Sequence, residues 1–395
     1  MKIAIYLDEV NQAIDNSMQW SVMRHIGQEL AKKDEVIFID PLKMGPKESS
    51  NKLKKQNYDI LLTYNKTGTN LIEESTGQNL MSLLEVPQVS WLVEHPVTFY
   101  ADYKKTNSEN RSYIFPNSTH NLFAKKMGMQ GQYSNLLFAS SEKKITTRFK
   151  DRPFDVCIAA QWRGEADSNA FWESMTGFEK KFFEEVNQLQ NTKEGIDVFL
   201  AFLAVAEYYK MPQENINYFA PALKALYWHA RKNERIKMVK DMASSGMKIL
   251  LVGGDGWKSI LQEKNQVTIV PPCTHDCLTD YYMNSRAVVS TNCSNGANER
   301  TFDAQSCGAI SIAERSATLE NKFEDMKDII FYDRLNLINK VAEMEDAIKN
   351  KTKGNLISEE GTHKFINNNT WKHRVGDLYK VLEKTCSNQV SVGCA

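Results

Sequence analysis

The stretch Thr291–Ala313, TNCSNGANERTFDAQSCGAISIA, decides how the rest of the chain is read. An apolar run, Ala287 to Ser290, feeds a small, polar, glycine-containing loop at Asn292 to Asn298. Glu299 to Cys307 then reads as a helix, Gly308 as its C-cap and Ala309 to Ala313 as the next buried strand. A loop that leaves a parallel strand and opens a helix turns free backbone N–H groups and a positive dipole end toward whatever lies above the sheet, which suits phosphate. Arg300 stands in the first helical turn, where its fork of donors is placed to clamp a diphosphate. Asp303, three residues further along the same face, is placed to accept from ribose hydroxyls.

These residues resemble the donor-sugar motif of GT-B glycosyltransferases, most nearly the spore-maturation CgeB-like group. That pattern is Arg, Phe, an acidic residue and Ala, then Cys or Ala followed by Gly, here Arg300, Phe302, Asp303, Ala304, Cys307 and Gly308. The wider glycosyltransferase motif has two glutamates eight positions apart, and Asn295 and Asp303 occupy those places, so the first loses its charge. The resemblance implies an α/β fold of two Rossmann-like parallel-sheet domains facing a cleft, and a hexosyltransferase that uses a nucleotide-diphosphate sugar. An ordinary strand-loop-helix of some other doubly wound domain is the competing reading.

At 395 residues the chain suits two domains of roughly 150 to 200 residues each. Lys plus Arg and Asp plus Glu number 49 each, so the net charge is zero, which argues against a nucleic-acid binder. The seven cysteines are odd in number and irregular in spacing, and the strand-like start Lys2–Asp8 is no secretory signal; both point to a reducing cytoplasm. The longest strongly apolar run, Val198 to Ala206, is far short of the ~20 residues that span a bilayer, so no transmembrane segment is expected. Cys273-Thr-His-Asp-Cys277 lacks a second ligand pair at zinc-like spacing, so no metal is assigned.

The first domain is expected over residues 1–150, as the acceptor domain. Strands at Lys2–Leu7, Glu35–Ile39, Tyr58–Thr63, Pro87–Val93, Ser112–Phe115 and Leu136–Ala139 alternate with helices at Met18–Lys32, Leu71–Leu84 and Asn117–Met127. No Gly-X-Gly-X-X-Gly follows the first strand, which excludes the usual nicotinamide dehydrogenase; its exit is instead polar, with Asp8, Glu9 and Asn11. Glu94 and His95, with Pro96, leave the strand Pro87–Val93 at its carboxyl end, where open α/β sheets bind ligands. They are the catalytic or acceptor-orienting candidates, against a reading in which both only cap the strand. Asn117 and His120 open the last helix of this domain, Asn117 as a natural N-cap.

The second, donor domain is expected over 151–383, with a frayed tail at 384–395. Its first strand, Phe154–Ala160, leads to Gln161-Trp162-Arg163-Gly164, and Arg163 matches an arginine of the CgeB-like pattern. A helical insertion at 167–234 is dense in aromatics and reads as a self-packing core, with an oligomerising or acceptor-recognising module as the alternative. The strand Met247–Val252 ends in Gly253-Gly254-Asp255-Gly256-Trp257, a loop permitting close backbone approach to a ligand. After Val267–Val270, the resemblance to GT-B enzymes implies a base pocket at residues 271–275, read largely through backbone groups, in which His275 stacks or caps. The chain has no Asp-X-Asp, so the expected scheme needs no metal and no cofactor. Loop amides, Gly296 and Arg300 would hold the leaving phosphates, and a protein or glycan would accept the sugar. Rival readings are a nucleotide-sugar epimerase and a non-catalytic nucleotide-sugar-binding scaffold.

Overall fold

A computed structural model of the protein describes residues 1–7, 17–73, 75–106, 110–162, 172–261, 265–290 and 297–392. The chain divides into two compact units, Met1–Phe138 with Trp371–Ala395, and Ala139–Thr370. Each holds one six-stranded sheet in which every pairing is parallel. Strands covered on both faces must be apolar throughout, and β3 (Ile60–Tyr64) and β8 (Ile249–Val252) are buried at every residue.

In the first unit β1 (Lys2–Tyr6), β2 (Glu35–Ile39), β3, β4 (Gln88–Trp91), β5 (Arg111–Phe115) and β6 (Gln132–Asn135) lie in the order β2-β1-β3-β4-β5-β6. Two expectations fail here. The last strand is Gln132–Asn135 rather than Leu136–Ala139, which leaves the sheet edge as buried extended chain. The helix expected over 71–84 is instead a turn: Gly77, at φ +67°, reverses the chain so that Ile72 bridges Asn79, and only Leu80–Leu83 coils, as a 3-10 turn.

In the second unit β7 (Phe154–Ala159), β8, β9 (Val267–Val270), β10 (Ser285–Ser290), β11 (Ile310–Glu314) and β12 (Ile330–Tyr332) run β12-β11-β10-β7-β8-β9. The order reverses between β7 and β10, the position at which open α/β sheets take ligands.

The unit boundary falls twelve residues before the expected one, because the segment after Phe138 is held by the second unit. Phe149 enters its core, and Arg152 donates to the Ser285 carbonyl at 2.8 Å and the Cys307 carbonyl at 2.9 Å. Conversely, the helix Trp371–Val392 belongs to the first unit. Trp371 packs edge-on against Trp91 at 6.1 Å, and Ser112 and Thr385 share a hydrogen bond of 2.8 Å. The helix runs on through most of the tail expected to fray.

The insertion folds as helices Gly177–Thr192, Val198–Tyr208 and Ala220–Ala243, the last running past the expected end of the insertion at residue 234. Phe182, Phe183, Phe202 and Phe219 meet at its centre, with Phe182 and Phe219 stacked at 5.5 Å. A Phe182→Ala variant, emptying a fully buried site, should lose about 3 to 5 kcal/mol. Helical circular dichroism that melts at the parent's temperature would show that the cluster is not a core.

Candidate donor site

The helix Glu299–Ser306 begins where the chain returns above β10. Asn298 caps it: its side-chain oxygen accepts from the Arg300 backbone N–H at 3.0 Å and from Ser290 Oγ at 2.6 Å. Arg300 follows in the first turn, and its charged neighbour among the described residues is Glu299 at 3.7 Å. Arg300 Nε, Thr301 Oγ1 and the Tyr282 hydroxyl are all enclosed with no hydrogen-bond partner among those residues. Each such atom costs about 1 to 3 kcal/mol unless a partner outside the described residues satisfies it. Burial drives the Tyr282 phenol well above its ordinary range, so it stands as a neutral O–H donor.

Asp303 lies on the same helix but is spoken for. Ser140 Oγ donates to one carboxylate oxygen at 2.6 Å, and His275 Nε2 meets the other at 2.9 Å. Only 4% of its side chain is exposed, and 11% of that of His275. Burial would raise the Asp303 pKa, but the imidazole and the Ser140 bond outweigh it and hold the carboxyl below its usual range. For His275 burial works downward, and the Asp303 charge more than reverses it. The two form a buried ion pair that ties the first residue of the helix His275–Met283 to the helix Glu299–Ser306. Geometrically, Asp303 positions His275, and each of its carboxylate oxygens already accepts one hydrogen bond.

The glycine loop after β8 is built for packing. Gly254 has φ +94°, the left-handed region, while the Asp255 side chain points to solvent, 79% exposed beside Lys258. Trp257 is buried, its indole N–H donating to the Ala160 carbonyl at 2.6 Å.

In the first unit, the expected pair at the end of β4 separates. Glu94 is half-buried, whereas the His95 ring is fully enclosed, accepts from the Val97 N–H at 3.2 Å and meets the His120 ring at 4.8 Å. Burial, then the His120 charge, hold His95 well below its ordinary pKa, and burial takes His120 down to about 3. Two neutral core imidazoles do not offer a proton relay to an acceptor. Asn117 caps its helix by accepting from the His120 N–H at 3.0 Å, so its side chain serves the fold.

Residues 231–380 match the family model described as Glycosyl transferase-like. This segment is a glycosyltransferase domain. Solved structures similar to the whole chain include a sucrose-phosphate synthase from Thermosynechococcus elongatus, 12% identical, TM-score 0.56, covering 97% of this chain and 99% of that one. Another is Alr3699/HepE of Anabaena in complex with UDP and glucose, 10% identical, TM-score 0.52, covering 97% and 99%. A third is AviGT4, a glycosyltransferase involved in avilamycin A biosynthesis, 9% identical, TM-score 0.51, covering 98% and 99%. At such identities they establish the fold, which is GT-B along the whole chain. No curated protein matches it by sequence.

Around this helix, Ser140 and Tyr282 are the residues that sequence reasoning passed over. Ser140 lies 163 positions from its partner Asp303, a separation no local pattern reports. Tyr282 reads only as one apolar position of a helix face. The expected Arg163, Asn295 and Gly296, and in the first unit Asp8, Glu9 and Asn11, lie outside the described residues. Among the described residues no group of three His, Cys, Asp or Glu is placed to hold a metal, and no helix is long and apolar enough to cross a membrane.

Proposed function

We propose that the protein transfers a hexose from a nucleotide-diphosphate sugar to a hydroxyl of a protein or glycan acceptor, as a CgeB-like enzyme, without a metal. The observation that carries this is the amino end of the helix Glu299–Ser306 beside the strand-order reversal, with Arg300 in its first turn and its enclosed Nε without a hydrogen-bond partner among the described residues. In the reaction the bond between the anomeric carbon and the diphosphate oxygen breaks, and negative charge gathers on the departing phosphate. Preorganised backbone N–H groups, the helix dipole and the Arg300 guanidinium are of a kind to receive it. The Asp303 carboxylate raises the pKa of His275, which favours a positive charge nearby. Glu94 is the acceptor-side candidate, half-buried at the carboxyl end of β4. The UDP and glucose in Alr3699/HepE support a UDP-sugar donor.

A panel of nucleotide sugars in a thermal-shift assay tests the reading. The right donor at ~100 times its dissociation constant adds about 2.7 kcal/mol of stability, and slow release of free UDP or GDP should follow, undiminished by EDTA. Tight binding without release would favour a scaffold, and rapid release without any acceptor an epimerase.

A further inference from the structure

We propose that the outward face of the helix Lys351–Asn368 is a self-recognition surface, on which a second copy of this chain packs antiparallel about a two-fold axis opposite Gly361. The inference goes beyond the transferase reading and does not depend on it.

The inner face of this helix serves the fold. Gly354, Ile357, Gly361 and Phe365 are buried, and an added Cβ on Gly361 would fall 2.6 Å from the Asp328 carbonyl oxygen, so the helix lies directly on backbone there. The outer face is open. Thr352, Leu356, Glu359, His363 and Ile366 are all exposed, Leu356 at 56% and Ile366 at 44%. Their spacings alternate between four and three residues, which sets them in one stripe like the seam of a coiled coil. Single exposed aliphatics need no explanation; the order along this stripe does. It reads nearly the same in both directions from Gly361: Leu356 and Ile366 stand equally far to either side, and so do Glu359 and His363. Asn355 and Asn367 repeat the symmetry, Asn355 meeting Glu359 at 2.8 Å and Asn367 meeting His363 at 3.0 Å. A two-fold contact requires residue i to meet j while j meets i. Two such helices, antiparallel and centred on Gly361, set Leu356 of one copy against Ile366 of the other and Glu359 against His363, each pair twice. Apolar then meets apolar, and a carboxylate acceptor meets an imidazole that can donate. A parallel pair would instead set Glu359 against Glu359, so the polar positions fix the direction. The stripe is also one wall of a groove of about 800 Å³, whose other wall, residues 145–152, offers the exposed Ile145 as apolar surface and Arg148 and Lys150 as charge. An occupant of that groove should bring aliphatics and carboxylates, and the same helix of a second copy brings Leu356, Ile366, Glu359 and Glu360.

Sedimentation equilibrium on the full chain, over a concentration series, tests this. The parent should show a reversible equilibrium between one and two chains. Leu356→Gln and Ile366→Gln, each felt at two places in the dimer, should raise its dissociation constant at least about tenfold while the circular dichroism stays that of the parent. Glu359→Arg sets a cation opposite His363 and should weaken the dimer to a similar degree. Adding His363→Glu to that variant sets arginine opposite glutamate and should restore the dimer, a rescue that only the antiparallel register centred on Gly361 provides. A parent that is monomeric at every concentration overturns the proposal, as does a dimer indifferent to Leu356→Gln and Ile366→Gln, or one that the charge swap fails to rescue. A monomeric parent that binds vesicles of anionic lipid, and loses them with Leu356→Gln, also overturns it and gives this face to a membrane surface.

Discussion

An Arg300→Ala variant should lose the melting-temperature rise that the donor gives the parent protein, and its turnover should drop by about 10²- to 10³-fold, the usual effect of deleting one preorganised donor to a developing anion. Its unliganded melting point should barely move. Among the described residues the guanidinium's ion pair is a long one, 3.7 Å to the neighbouring Glu299, and its enclosed Nε finds no acceptor, so truncation removes a largely desolvated cation at the loss of one weak pair. Arg300→Lys separates charge from shape: a point charge keeps some attraction for phosphate but loses the two-pronged geometry, so it should fall between parent and alanine. Donor titrations followed by thermal shift, with product release measured in parallel, check all three proteins. If the alanine variant unfolds on its own, Arg300 is a structural cation and the phosphate-clamp reading fails.

Where backbone pattern alone decides, the chain is legible. Apolar runs such as EVIFI and ILLV became the strands β2 and β8, the latter buried throughout, and Asn298 before an amphipathic stretch became an N-cap. The residues 71–84 misled because their apolar positions suit a helix while Thr76-Gly77 turns the chain back, and a left-handed glycine outweighs weak helical propensity. The site was readable to the same depth. Arg300 stands where its spacing puts it, since a first-turn position follows from the cap. His95 and His120 looked like chemistry because histidines at strand and helix ends often are; only the packed fold shows each ring enclosed against the other. Asp303 marks the limit most clearly. Its position on the helix was predictable, but its partners, Ser140 and His275, come from 163 and 28 residues away, and they change what the carboxylate is for.

That change of role predicts a stability effect with a definite pH dependence. An Asp303→Asn variant strands His275 and Ser140 in a buried site, so at pH 5.5 it should be less stable than the parent by about 3 to 5 kcal/mol. In a unit of this size that corresponds to a melting-point fall of roughly 6 to 20 °C. His275 is raised above its ordinary 6.5, so its contribution is full below that value and fades as the pH climbs through the higher folded one. Asp303 is held below its ordinary 3.8, so its share is present above that value and vanishes only as the pH falls through the lower folded one. Parent and variant should therefore differ most between about pH 4 and 6.5, and the gap should narrow by pH 9, where a neutral imidazole retains only a hydrogen bond to Asp303. Lys143 and Glu299 also act on His275, Lys143 lowering and Glu299 raising its pKa, so the same scans on Lys143→Gln and Glu299→Gln should shift the window in opposite directions without closing it. Adding His275→Gln to Asp303→Asn removes the stranded cation and should restore part of the loss at pH 5.5. A variant that melts like the parent at pH 5.5 and loses only donor affinity would return Asp303 to the ribose, the role its motif implies.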